Sequence, residues 1–188
     1  MRLERLHEHD SYFRDLANDD TIVSFAKDLL GDNAALNGFQ MFGKAPRIGV
    51  GTPSHQDGFY FCLEPCNAIT FWIALDRADE ENGCVHYVSG SNRKGLRPHE
   101  PSSSFGFSLG IADLSPEDIA NERAVVVDPG DLIVHHCLTI HRTSGNRSDR
   151  LRRALGIVFF GASSVVDVEA KKNHQKSTHE MWRKLGKL

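Results

Sequence analysis

No apolar run in this chain approaches the ~20 residues that a membrane-spanning helix requires. The opening stretch, Met1 to Leu16, is charged from Arg2 onward and lacks an apolar h-region, so no secretory signal is expected and the reading is cytoplasmic. Neither sign of charge dominates: 22 Lys and Arg stand against 25 Asp and Glu, a net of −3. That balance offers nothing to draw nucleic acid or an anionic membrane as partner. Cysteine is scarce, with Cys62, Cys66, Cys84 and Cys137 irregularly placed. Cys62 and Cys66 resemble half a zinc site, but no second pair follows, so free thiols in a reducing cytosol are the better reading. Internal repeats and low-complexity segments are missing too.

What is present fits one domain over residues 1–188, with 40% apolar and 25% charged residues. A chain of this size buries roughly 70% of its unfolded surface. The first thirty residues carry Phe13 and Leu16, then Ile22, Phe25, Leu29 and Leu30, at helical spacing, with Gly31 as a stop. Alternating or short apolar runs then predict strands near 36–43, 54–61, 67–75, 84–88, 123–127, 131–136, 138–143 and 152–160. Glu80-Glu81-Asn82-Gly83, Ser89-Gly90-Ser91-Asn92 and Asp128-Pro129-Gly130-Asp131 mark turns between them. Ser115-Pro116-Glu117-Asp118 offers an N-cap, a first-turn proline and a capping-box acid. A polar helix over 173–186 has Trp182 and Leu185 as anchors. Helices followed by eight strands predict a mainly β jelly roll with the N-terminal helices packed on one sheet.

The chemistry centres on His55-Gln56-Asp57. On a strand, residues two apart share a face at about 6.6 Å, so both side chains can reach one metal. An H-x-D pair is common by chance and needs a third donor. His141 lies 141 − 55 = 86 residues downstream, at the end of an apolar run. His135 and His136 are equally possible on spacing alone. Two imidazoles and a carboxylate make the facial triad that leaves positions open on Fe(II), whereas a structural zinc site closes with four ligands. The remaining histidines lack an acidic partner at chelating spacing.

In 152–160, one face carries Arg152, Ala154, Gly156 and Val158, and the other Arg153, Leu155, Ile157 and Phe159. The first face leaves room inside a barrel; the second suits packing under helices. An inward guanidinium can clamp a carboxylate through two parallel hydrogen bonds. Trp72 falls on the mixed face of 67–75 with Thr70 and Ala74, as a candidate pocket wall or plain core.

With these residues assembled, the chain resembles the phytanoyl-CoA dioxygenase (PhyH-like) family of Fe(II)/2-oxoglutarate oxygenases from Leu29 to Phe160. GDNAALNGFQMFGKAP is similar to the family's first barrel strand and its turn at Lys44, and SHQDGFYF to its metal motif. FWIALDRADEENGCVHYVSGSNRKG is similar to its middle strands and Asn-Gly-Cys turn. DPGDLIVHHCLTIHRTSGNRSDRLRRAL resembles the closing strands, with an arginine eleven residues after the distal histidine. The resemblance implies a double-stranded β-helix, with His55, Asp57 and His141 on iron and His136 at a turn position. It implies Arg152 on the far carboxylate of 2-oxoglutarate, Trp72 and Thr70 lining the pocket, and Tyr60 and Gln40 as further contacts to 2-oxoglutarate or substrate.

The implied reaction hydroxylates a small molecule with release of succinate and CO2, ascorbate being a candidate reductant. Halogenating relatives have a small residue where Asp57 stands, so hydroxylation is favoured. This chain departs from the family in having fewer residues before its first helices, in Asn92 for the usual histidine, and in Arg142 and Thr143 for the usual Gly-Ser. These departures bear on the substrate and spare the metal set. Competing readings are a non-catalytic jelly-roll ligand-binding module and a cupin-like metal enzyme, such as an isomerase, that does not use 2-oxoglutarate.

Overall fold

The computed structural model describes residues 1–101, 109–111 and 113–184. Three helices open it: α1 (Leu6–His9), α2 (Ser11–Ala17) and α3 (Asp20–Leu30). Asp19 caps α3 by accepting from Thr21 N at 2.9 Å, and Gly31, at φ 63°, closes it in the left-handed conformation that costs glycine little. The strands are β1 (Arg2–Leu3), β2 (Ala34–Lys44), β3 (Thr52–His55), β4 (Ala68–Ala74), β5 (Val85–Val88), β6 (Glu122–Val125), β7 (Leu132–His136), β8 (His141–Thr143) and β9 (Arg152–Gly161). Three more helices interrupt or follow them: α4 (Asp57–Phe61), α5 (Pro116–Ala120) and α6 (Val168–Lys184).

Eight of these strands are the eight expected, and they form two antiparallel sheets, ordered β1-β2-β9-β4-β7 and β3-β8-β5-β6. The ninth, β1, is a two-residue addition on the edge of β2 inside a stretch expected to be helical. Two-residue ladders join Leu63–Glu64 to Val165–Val166 and Glu100–Pro101 to Leu109–Gly110. No helix among the described residues is long and apolar enough to cross a membrane.

The period-2 pattern sorts the larger sheet into two faces. Phe39, Ile69, Phe71, Leu155, Ile157 and Phe159 point outward and pack under Ala17, Ala26 and Leu30 of the helices. The inner face carries Trp72, Ala74 and Ala154, which meet Val85 and Tyr87 of the smaller sheet. Phe25 and Leu29, also at helical spacing, stay about half exposed, with the Phe25 ring 5.7 Å from that of Phe71. Ser115 and Asp118 form the expected capping box on α5. Helix α6 starts at Val168, five residues before the expected 173. Leu185 and the side chain of Trp182 lie outside the described residues.

Two expected strands are shorter than their apolar runs. The stretch 54–61 stops extending at His55 and enters α4, because Gln56 supplies an extended N-cap and Gly58 lets the backbone close onto Cys66. A Cβ on Gly58 would stand 2.6 Å from Cys66 Sγ. The stretch 138–143 pairs only from His141, since Thr139 N donates to His136 O at 2.8 Å and turns the chain first.

Candidate active site

His55 is the last residue of β3 and Asp57 the first of α4, so the expected two-residue strand spacing is not what brings them together. The break after His55 does so instead, placing a carboxylate at a helix start, where backbone N–H groups favour negative charge. His141 arrives on β8, whose register sets it directly opposite His55. The His55 and His141 rings are 4.1 Å apart.

The backbone decides which ring nitrogen faces the carboxylate. His55 Nδ1 lies 2.8 Å from Pro53 O and His141 Nδ1 lies 3.0 Å from Thr139 O. A carbonyl only accepts, so each Nδ1 carries the proton and each Nε2 presents a lone pair. Those Nε2 atoms stand 3.6 and 3.9 Å from Asp57 Oδ1. All three donors lie within 4.8 Å of one another. Donors bound side by side to one ion by bonds of about 2.1 Å are about 3 Å apart, so a contraction of roughly 1 Å along each Asp57–histidine separation brings the carboxylate to bonding geometry with both rings.

Burial, with the neighbouring His55, pushes the His141 imidazole well below the usual range and keeps it neutral. Asp57 also lies well below its usual range. Burial works the other way, but the neighbouring His141 and the hydrogen bond from His135 outweigh it. Two imidazoles with Nε2 turned inward and a carboxylate, with no closing thiolate among the described residues, fit an iron of the facial-triad type.

His135, spacing's alternative ligand, lies on the inner face of β7 with Nε2 3.2 Å from Asp57 Oδ2. His136 points to the other face, its Nδ1 accepting from Leu138 N at 3.2 Å. Thr70 donates its hydroxyl to the same Asp57 Oδ2 at 3.0 Å, which engages that hydroxyl with the carboxylate.

Arg152 points inward from β9 and is 3% exposed, with its guanidinium carbon 5.5 Å from the Trp72 ring. Gly156, opposite Trp72, has no side chain and leaves the space beside the ring to Phe42 and Gln40. No carboxylate pairs with Arg152 among the described residues, and its buried Nε has no hydrogen-bond partner. Burial pushes it down to about 10. Lys44 is its direct neighbour on β2, buried as well, with Nζ donating to Val50 O. Burial and then Arg152 push Lys44 down to about 7. Arg153 faces outward and holds Asp76 with Nε–Oδ2 and Nη2–Oδ1 contacts of 2.9 Å each.

Gln40 shares the inner face, but its Oε1 accepts from Arg2 Nη2 at 2.8 Å. Tyr60 packs edge-on 6.0 Å from the His55 ring, donates to Leu109 O, and is pushed up to about 12 by burial. Arg142 pairs with Glu122 on the outer face of β8, and Thr143 accepts from Thr52 N at 3.2 Å. Reasoning on residue types alone missed the partnership of His135 with Asp57 and the burial of Lys44. Both positions do lie on the inward parity of their strands, which is the only trace they leave in the sequence.

Comparison with known proteins agrees with this arrangement. The pattern of the family described as phytanoyl-CoA dioxygenase (PhyH) matches residues 2–154. The chain belongs to that family. The peroxisomal phytanoyl-CoA dioxygenase of Bos taurus is 30% identical over 172 residues, covering 87% of this chain and 51% of its own. The chain thus spans about half the length of that curated relative. Among solved structures, the non-heme alpha ketoglutarate dependent carbocyclase SnoK from nogalamycin biosynthesis superposes with a TM-score of 0.75 at 27% identity, over 88% of this chain and 64% of that one. EvdO2 from Micromonospora carbonacea var. aurantiaca, complexed with 2-oxoglutarate, gives 0.73 at 25% identity, over 89% and 69%. The family's fold is a jelly roll, as the two sheets here are.

Proposed function

We propose that this PhyH-family chain is an Fe(II)- and 2-oxoglutarate-dependent dioxygenase that hydroxylates a small molecule and releases succinate and CO2, with residues 1–188 acting as one domain. The observation that carries the reading is a pairing inside the sandwich. Among the described residues three donors converge without a fourth protein ligand, and the buried guanidinium of Arg152 has no carboxylate hydrogen-bonded to it. A metalloisomerase needs the first feature and not the second.

His55 Nε2, Asp57 Oδ1 and His141 Nε2 would hold the iron, leaving the rest of its coordination sphere open. Bound there, iron would supply dioxygen activation, with two electrons coming from 2-oxoglutarate as it is decarboxylated to succinate and two from the substrate as it is hydroxylated. Arg152 takes the far carboxylate of 2-oxoglutarate through its planar fork, and burial strengthens that pair by excluding competing water. Trp72 walls the guanidinium off, while Tyr60 and Gln40 border the space left for co-substrate or substrate. Ascorbate serves as reductant. The four free thiols suit the cytoplasm; because the bovine relative is described as peroxisomal, fractionation of the host cell decides the compartment.

Anaerobic addition of Fe(II) and 2-oxoglutarate should produce the weak visible charge-transfer band of the chelate. Metal binding that depends on His55, with no band and no 2-oxoglutarate affinity, would instead indicate a cupin-like enzyme without this co-substrate. SnoK is described as a carbocyclase, so product analysis belongs to the same test.

A further inference from the structure

Asp57 uses only one oxygen toward the two ligand histidines; the other is held by the protein. Its Oδ2 lies 3.0 Å from Thr70 Oγ1 and 3.2 Å from His135 Nε2. His135 Nδ1 in turn lies 2.9 Å from the Tyr87 hydroxyl. Thr70, His135 and Tyr87 are each under a tenth exposed; Thr70 and His135 are register partners on the neighbouring strands β4 and β7, and Tyr87 is on β5 of the other sheet. A carboxylate accepts, so His135 Nε2 carries the proton; its Nδ1 is then the acceptor for the Tyr87 O–H. This tautomer is the reverse of that in His55 and His141, whose protons sit on Nδ1 against carbonyls. His135 therefore turns a donor, not a lone pair, toward the site.

We propose that Thr70 and His135, the latter oriented by Tyr87, are positioning residues that pin Asp57 Oδ2 and thereby enforce single-oxygen ligation through Oδ1. The inference rests on the metal reading above and goes beyond it. An unpinned carboxylate is free to rotate and place both oxygens on the ion, taking a position that an incoming co-substrate requires. Two donors from two strands on one oxygen prevent that rotation. Such outer partners of metal ligands typically contribute 10–100-fold in metal affinity.

The test uses the apoprotein and the metal alone: Mn(II) titration followed by EPR, and the visible spectrum of the Co(II) form, for Thr70→Val, His135→Phe, His135→Gln and Tyr87→Phe. Thr70→Val and His135→Phe should each weaken Mn(II) binding by about 10–100-fold and change the Co(II) band shape. His135→Gln keeps an N–H donor and should recover most of the affinity and the wild-type spectrum; Tyr87→Phe should show the smallest loss. Wild-type affinity and spectrum in both Thr70→Val and His135→Phe would overturn the proposal. So would a His135→Phe loss as complete as that of His141→Ala, because His135 would then be a ligand. If His141→Ala itself bound metal like wild type, the metal reading would fail, and not only this refinement. Thr70→Val preserves shape, so it decides the matter even if His135→Phe does not fold.

Discussion

Asp57 and Arg152 carry opposite charges inside the same sandwich, and their surroundings differ in kind. Asp57 is met by three histidines and a threonine, with donors on one oxygen and two lone-pair nitrogens beside the other. Arg152 is met by Trp72 and by a second buried cation at Lys44, and among the described residues no carboxylate hydrogen-bonds with it, Asp76 being engaged by Arg153 and acting on Arg152 only at longer range. An unpaired buried charge costs several kcal/mol, so a fold keeps one only where something else supplies the counter-charge. The difference teaches that the protein finishes the metal end by itself and leaves the other end to an anionic ligand.

The largest effect should come from removing the finished end. Asp57→Ala and His141→Ala are expected to abolish 2-oxoglutarate turnover and to weaken Fe(II) or Mn(II) binding beyond the 10–100-fold of outer partners. Metal titration followed by succinate detection checks this, and turnover in either variant would break the comparison. Next comes the open end. Arg152→Ala leaves the far carboxylate unpaired, a truncation worth about 2–5 kcal/mol, so 2-oxoglutarate affinity should fall more than about tenfold while metal affinity stays put. Arg153→Ala, one residue on but facing Asp76 outside, should leave 2-oxoglutarate affinity unchanged. Equal losses in a calorimetric titration would show the strand to face the other way.

A sharper contrast lies in stability without ligands. Arg152→Met removes an uncompensated buried charge and should raise the thermal midpoint of the apoprotein, whereas Arg153→Ala removes a satisfied pair and should lower it slightly. A lower midpoint for Arg152→Met would mean that the guanidinium is already compensated. The smallest effect concerns pH. Lys44 falls from 10.5 unfolded to about 7 folded, so the unfolded chain binds the extra proton between those values. Stability relative to Lys44→Met should therefore rise as pH increases from about 7 to 10.5, and be lost again as pH falls toward 7. Parallel denaturation curves for the two proteins across that window would show that Lys44 is solvated.

Much of this was legible in the residues. Alternation along 152–160 assigned Arg152 inward and Arg153 outward, and both stand so. The same parity put Trp72 and Thr70 on the inner face of β4. What misled was continuity: the expected strands run on past His55 to the aromatic residues 59–61 and begin before His141, while strand pairing stops at the first and starts at the second. The edge strand Arg2–Leu3 was invisible because two residues carry no period. His135 looked like a rival ligand, since spacing records where a histidine is and not which of its nitrogens bears a proton.

By itself, then, the sequence determined the faces. Side-chain direction follows from covalent geometry that repeats every two residues, and polar or apolar choice at each position is written locally. Only the tertiary structure decided partners. Whether Asp57 Oδ2 is held by Thr70 and His135, whether Lys44 lies beside Arg152, and whether that arginine lacks an anion all depend on two sheets closing on one another. Closure sets distances between residues tens of positions apart, and a hydrogen bond or buried charge is gained or lost within about an ångström of them.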